Sequence, residues 1–230
     1  MKVLVTRPAE DGAEIAHLLA ARGHEALLAP LLAVHIHDGP PLDLADIQAV
    51  LATSANGVRA LAQRTSERDI PIFAVGPQTR DAAEHAGFLR VRSADGDAAA
   101  LAEAAAQWAD PVAGPLLHVA GAEGSGWLAE RLTERGFEVR RLALYRVEAA
   151  AHLPPAAIRA VQDNEVEAAM FFSPRSAQVF VDCAARAGLS TARLTAICIS
   201  ANTARALESQ AFAGIRIAAA PNQSALLDCL

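Results

Sequence analysis

Six short stretches hold the side chains that could do chemistry in this chain: Thr6-Arg7, Thr53-Ser54, Gly76-Pro77-Gln78-Thr79, Ala120-Gly121, Ser173-Pro174 and Ser200-Ala201-Asn202-Thr203. They are small, hydroxylic or amide-bearing, and carry few formal charges. Each follows a short apolar run that reads as a strand and precedes a helical pattern. Serine and threonine at such junctions serve as helix N-caps. The free backbone N–H groups beside them can also converge on carboxylates or phosphates. The chemistry this pattern suits is recognition of an anionic small molecule, with Thr6, Arg7, Thr53, Ser54, Gly76, Gln78, Thr79, Gly121, Ser173, Ser200 and Thr203 as candidate contacts. Tyr145 is the only tyrosine and lies in LALYRV. Its residue type suits a half-buried packing position on a β segment.

Other chemistries find little footing. There is no GxGxxG and no GxxxxGK[ST], so neither a dinucleotide site nor a P-loop has support. No GxSxG elbow appears, and no histidine or acid is placed by sequence beside Ser54 or Ser173. His35 and His37 would share one strand face, but two ligands fall short of the three or four that zinc needs. The other histidines, including His118, are scattered. Cys183, Cys198 and Cys229 form no CxxC pair and read as buried thiols, so no metal centre or disulfide framework is expected. A net charge of −6 argues against a nucleic-acid surface. It leaves an anionic ligand open, because helix N-termini supply local positive potential inside a negative protein. No apolar run approaches the length of a membrane span, and MKVLVTRPAED turns polar too early for a signal peptide. A soluble cytoplasmic protein is the expectation.

The elements that must position these residues come in two copies. Ala9 to Val34 aligns without a gap on Ala122 to Val147, with identities at Ala9/Ala122, Glu10/Glu123, Ala16/Ala129, Leu19/Leu132, Arg22/Arg135, Gly23/Gly136, Glu25/Glu138 and Val34/Val147. Each copy predicts a strand, a polar turn, a helix with acidic residues in its first turn and a stop at glycine. A second apolar run follows, Glu25 to Ile36 or Glu138 to Ala149, about twice the roughly five to six residues of an average strand. The remainder repeats too: Ser173 answers Ser54, Thr203 answers Thr79, and Gly214 to Ile217 answers Gly87 to Val91. The order of pieces is a, b, a′, b′, which predicts an α/β protein of two similar domains with mainly parallel sheets and flanking helices. The over-long strands favour a middle domain over 40–144 and a discontinuous terminal domain over 1–35 and 150–230. A two-stranded β linker would join them, with crossings near 34–41 and 145–154 and freedom for relative motion.

Taken together, these residues resemble the uroporphyrinogen-III synthase family over nearly the whole chain. The resemblance rests on VTRP at Val5 to Pro8, TSANGV at Thr53 to Val58, AVGPQT at Ala74 to Thr79 and GFEV…LALYRV at Gly136 to Val147. It continues through FFSPRS at Phe171 to Ser176, TARAL at Thr203 to Leu207 and AAPNQSALL at Ala219 to Leu227. The resemblance implies a cyclising lyase that converts hydroxymethylbilane into uroporphyrinogen III, losing water and inverting ring D, without cofactor or metal. It implies that the tyrosine of the returning strand, Tyr145, is a proton donor. It also implies a monomer that receives a linear tetrapyrrole with eight carboxylates from porphobilinogen deaminase and takes neither nucleic acid nor membrane as partner. The chain departs from the family pattern at Ala120-Gly121 and Gly124-Ser125, where arginine is frequent, and at Ser200-Ala201-Asn202, where a glycine-proline turn is common. The competing expectation is a non-catalytic two-domain protein that binds a tetrapyrrole or another anionic metabolite.

Overall fold

The computed structural model describes the backbone of residues 1–230 and the side chains of all but residues 9 and 10. In chain order the elements begin β1 (Lys2–Val5), α1 (Ala9–Ala21), β2 (Glu25–Leu28), β3 (Leu32–Ile36), β4 (Ala49–Ala52), α2 (Ala55–Arg64), β5 (Ile72–Ala74), α3 (Pro77–His85), β6 (Val91–Ser93) and α4 (Ala98–Trp108). They continue β7 (Leu116–Gly121), α5 (Trp127–Thr133), β8 (Val139–Ala149), α6 (Pro155–Gln162), β9 (Ala168–Phe171), α7 (Pro174–Arg186), β10 (Thr195–Cys198), α8 (Ala201–Arg205), β11 (Gly214–Ile217) and α9 (Gln223–Leu227). The chain divides into two compact units, Met1–Ala33 with Glu148–Leu230, and Val34–Val147. Among the described residues no helix is long and apolar enough to cross a membrane.

The first unit is built on a sheet of order β11-β10-β9-β1-β2, in which every pair is parallel. Its three inner strands, β1, β9 and β10, alternate between two apolar layers. Val3 and Val5 join Ile15, Leu19, Met170 and Leu226 on one face. Leu4 joins Phe171, Phe180 and Leu31 on the other. Period-two alternation with both faces buried is what a parallel sheet covered by helices requires. Phe171 and Phe180 meet edge to face at 5.1 Å in that second layer.

The second unit has the order β3-β8-β7-β4-β5-β6. Leaving out β3, it is the same arrangement, with β8 and β7 in the places of β2 and β1, and β4 in the place of β9. The sequence copy is thus a structural copy, down to the register: Val3 lies opposite Ala26 in one unit and Leu116 opposite Val139 in the other. Numbered along the chain, the first sheet is 2-1-3-4-5, the flavodoxin-like doubly wound order, and the second, without β3, is 3-2-1-4-5, the other common doubly wound order. Gly23 and Gly136, at matching positions after α1 and α5, both take positive φ (+77° and +86°), with nothing within 4 Å of an added Cβ. Conformation, not space, therefore keeps glycine there.

Three local expectations need correction. The first apolar run is not one long strand: Ala29 to Leu31 interrupts it, where Pro30 cannot donate to a ladder. The second copy, with Ala143 at the matching place, continues unbroken for 11 residues as β8. Helix α5 starts only at Trp127, so Glu123 sits in the preceding turn; Gly124 and Gly126 make an earlier start costly. Of Gly87 to Val91, matched above with Gly214 to Ile217, only Val91 belongs to a strand, β6, and Leu89 is 75% exposed. Beside β8, β3 runs antiparallel, as shown by the bonds His37 N–H to Leu144 O (2.8 Å) and Ala150 N–H to Leu31 O (2.9 Å).

Candidate active site

In a doubly wound sheet, ligands bind outside the carboxyl ends of the strands, where the strand order reverses. In the second unit that point lies between β7 and β4, and the residues ending there are Ala120-Gly121 and Thr53-Ser54. Ser54 caps α2: its Oγ accepts the Gly57 N–H at 3.1 Å. The same oxygen lies 2.8 Å from the Tyr145 Oη. Tyr145 comes from β8, on the far side of β7 from β4, and is 8% exposed. Tyr145 and Ser54 are 91 residues apart in sequence, and nothing in their local motifs marks them as partners.

On the opposite face of the same strand ends lies a cluster that sequence reasoning missed. His118 is 3% exposed; its Nε2 is 3.5 Å from Thr53 Oγ1, and its Nδ1 has no hydrogen-bond partner. Burial, and then the neighbouring Arg141 guanidinium, lower the His118 imidazole to about 4, so it is neutral near pH 7. Arg141 donates through Nη2 to Gly121 O (2.7 Å) and Gly124 O (2.9 Å), while its buried Nε is unpartnered. The arginine therefore ties down the turn between β7 and α5. The one signal for this cluster was a histidine inside the otherwise apolar run LLHVA.

The other predicted residues are divided between exposed and committed groups. Gly76 caps α3 with Pro77 at its first position, and Gln78 is exposed at that helix start. Thr79 is buried at 4%. In the first unit the reversal lies between β1 and β9. Thr6 there is wholly buried and its hydroxyl donates to Met170 O at 2.7 Å. Arg7 pairs with Asp11 (3.2 Å), donates to Gln223 Oε1 (2.9 Å) and lies 5.0 Å above the Phe172 ring. Ser173 caps α7 through Ser176 N–H, and Ser200 caps α8 through Thr203 N–H. Thr203 itself is fully buried, 3.0 Å from the Ser200 hydroxyl. Among the described residues, no group of three or more His, Cys, Asp and Glu side chains could hold a metal.

Fold and strand-end chemistry together define a two-unit α/β protein of the doubly wound class, each unit carrying hydroxyl and amide groups at its reversal point. Among solved structures, uroporphyrinogen-III synthetase from Helicobacter pylori shares this fold, with a TM-score of 0.64 at 18% identity over 99% of this chain and 96% of that one. A mutant uroporphyrinogen III synthase from the thermophile Thermus thermophilus shares it with a TM-score of 0.53, at the same identity and coverage. No curated protein matches the chain by sequence. The family model for uroporphyrinogen-III synthase HemD matches residues 13–228, and the chain belongs to that family of cyclising lyases of heme biosynthesis.

Proposed function

We propose that this chain cyclises hydroxymethylbilane to uroporphyrinogen III with Tyr145 as proton donor. The observation that carries the residue assignment is the 2.8 Å contact between the Tyr145 Oη and the Ser54 Oγ at the sheet reversal of the second unit. Ser54 Oγ accepts the Gly57 N–H and still has a proton to give. If Ser54 donates to the tyrosine oxygen, the phenol proton is free to point at a ligand. Passing to the hydroxymethyl oxygen of the substrate, that proton lets the C–O bond break with its electron pair on oxygen, and water leaves. The carbon left behind is a cation spread over its pyrrole ring. A carbon–carbon bond first forms at the carbon of the last ring that already carries the bridging methylene. That ring's original bond to the bridge then breaks, leaving the cation on the bridge and the ring before it, and the bridge rejoins at the last ring's free carbon, which inverts the ring and closes the macrocycle. The proton released from that carbon restores the phenol. Throughout, Ser54 keeps the tyrosine oxygen partnered.

Closing a flexible chain is chiefly a problem of holding its ends together. For the eight carboxylates we assign the α2 and α3 starts at Thr53, Ser54, Gly76 and Gln78, the Gly121 turn, and in the first unit Arg7 and Ser173. Thr6, Thr79, Ser200 and Thr203 contribute through the backbone they hold. The substrate arrives from porphobilinogen deaminase, and the enzyme works in the cytoplasm as a monomer.

A coupled assay starting from porphobilinogen and its deaminase tests this reading. The type III isomer is expected; formation of only the spontaneous type I isomer defeats it. Tyr145→Phe is expected to lower kcat about a hundredfold or more with the fold intact by circular dichroism. Unchanged turnover returns Tyr145 to a packing role.

A further inference from the structure

Strand β8 has one residue more than its neighbour can match. Along β7 and β8 the register runs evenly from Leu116 opposite Val139 to Ala120 opposite Ala143, then jumps to Gly121 opposite Tyr145, leaving Leu144 without a counterpart. Such bulges are rare in parallel pairs and serve to re-aim a side chain. Here the effect is a change of face. Leu142 and Leu144 point into the layer of Val50, Val58, Leu61 and Val119. By alternation the next residue would point the other way, toward His118. The extra residue instead places Tyr145, and then Val147, in that same layer, on the side where Ser54 stands.

Three contacts hold the bulge. A Cβ at Gly121 would lie 3.1 Å from Cε2 and Cζ of Tyr145 and 3.3 Å from its Oη, so any larger residue there would push the ring off its present seat by a few tenths of an ångström. The next amide, Ala122 N–H, donates to Tyr145 O at 2.8 Å. The Gly121 carbonyl is fixed by Arg141 Nη2 at 2.7 Å. We propose that the Leu144 bulge, Gly121 and Arg141 form one positioning device that directs the Tyr145 hydroxyl onto Ser54. This rests on the reading of Tyr145 as proton donor only where turnover is concerned. Gly121 and Arg141 are positioning residues, acting through the tyrosine.

Because Tyr145 is the only tyrosine, protein labelled with 13C at tyrosine Cζ gives one phenol resonance. Ser54→Ala sets the position of that resonance without the Ser54 contact. Gly121→Ala is expected to move it toward that position and to lower kcat about tenfold to a hundredfold. Arg141→Met, which keeps the strand, is expected to shift it in the same direction, and Arg141→Lys to restore it in part. In a Tyr145→Phe background, Gly121→Ala is expected to cost less than about twofold more in kcat, since the group it positions is gone. A resonance unmoved in both Gly121→Ala and Arg141→Met overturns the proposal, as does a kcat penalty of Gly121→Ala that is undiminished in the Tyr145→Phe background. If Tyr145→Phe leaves turnover unchanged while the resonance still follows Gly121 and Arg141, the positioning stands and the proton-donor reading falls.

Discussion

The strand pairs β1–β2 and β7–β8 start from one pattern and finish differently. Their registers coincide, so Val5 opposite Leu28 in the first unit corresponds to His118 opposite Arg141 in the second. In the apolar pair Val5 is buried and Leu28 is left 40% exposed; the polar pair pins a turn and bears a buried neutral imidazole. One step further along, Pro30 stops the first strand, whereas Ala143 lets the second continue, take up an extra residue and carry Tyr145 to Ser54. The two copies share the sheet and differ at its carboxyl end, where one has a plain strand end and the other a candidate reacting centre.

The comparison can be broken by giving the second copy the first copy's residues. Ala143→Pro should interrupt β8 as Pro30 interrupts its counterpart, with a stability loss of about 3 kcal/mol and activity down at least about a hundredfold. Denaturant unfolding and the coupled assay would show it, and near-normal values would mean that the continuous strand is dispensable. His118→Val copies Val5. Because the folded pKa of His118 lies below its ordinary value of 6.5, at about 4, the unfolded chain takes up a proton first as pH falls. The stability this linkage supports is complete above about pH 6.5 and is lost as pH drops toward 4, on the order of 3 kcal/mol in all. Urea midpoints measured from about pH 7.5 to 4 should flatten in His118→Val; an unchanged slope would remove His118 as its source.

Smaller changes sharpen the contrast. Ser54→Ala and Ser173→Ala each remove a cap and should each cost about 1 kcal/mol in thermal unfolding. Only Ser54→Ala should also lower kcat, about tenfold, since Ser173 has no tyrosine beside it and its loss falls on substrate affinity. Equal kinetic effects would erase the difference between the two units. Pro30→Ala is expected to cost only about 0.5 kcal/mol through the unfolded chain, with activity retained. A large kinetic loss there would show that the break in the first copy matters as much as the continuity of the second.

Much of the fold was legible because copied sequence keeps copied register: the alignment of Ala9–Val34 with Ala122–Val147 anticipated parallel α/β units built alike. Strand-end residues were equally visible, since Ser54, Ser173 and Ser200 stand at abrupt changes from apolar run to helical pattern. What stayed hidden depends on pairing across the chain. The Ser54–Tyr145 contact joins β4 to β8, and the bulge at Leu144 exists only relative to β7. His118 looked like one scattered histidine among seven until burial and Arg141 gave it a role. The helix expected to open at Glu123 starts later because two glycines resist the helical conformation, a local cost that the likeness to the first copy masks.

The order of the copied pieces also sets a timetable for synthesis. All strands of the second unit lie in one uninterrupted span, so they leave the ribosome together. β1, by contrast, has β9 as its inner neighbour, encoded far later in the chain, with Val3 opposite Ala168. At ordinary translation speeds the first strand waits roughly ten to thirty seconds for that partner, its apolar face unpaired. Chaperone demand during translation should therefore centre on β1 until β9 has emerged.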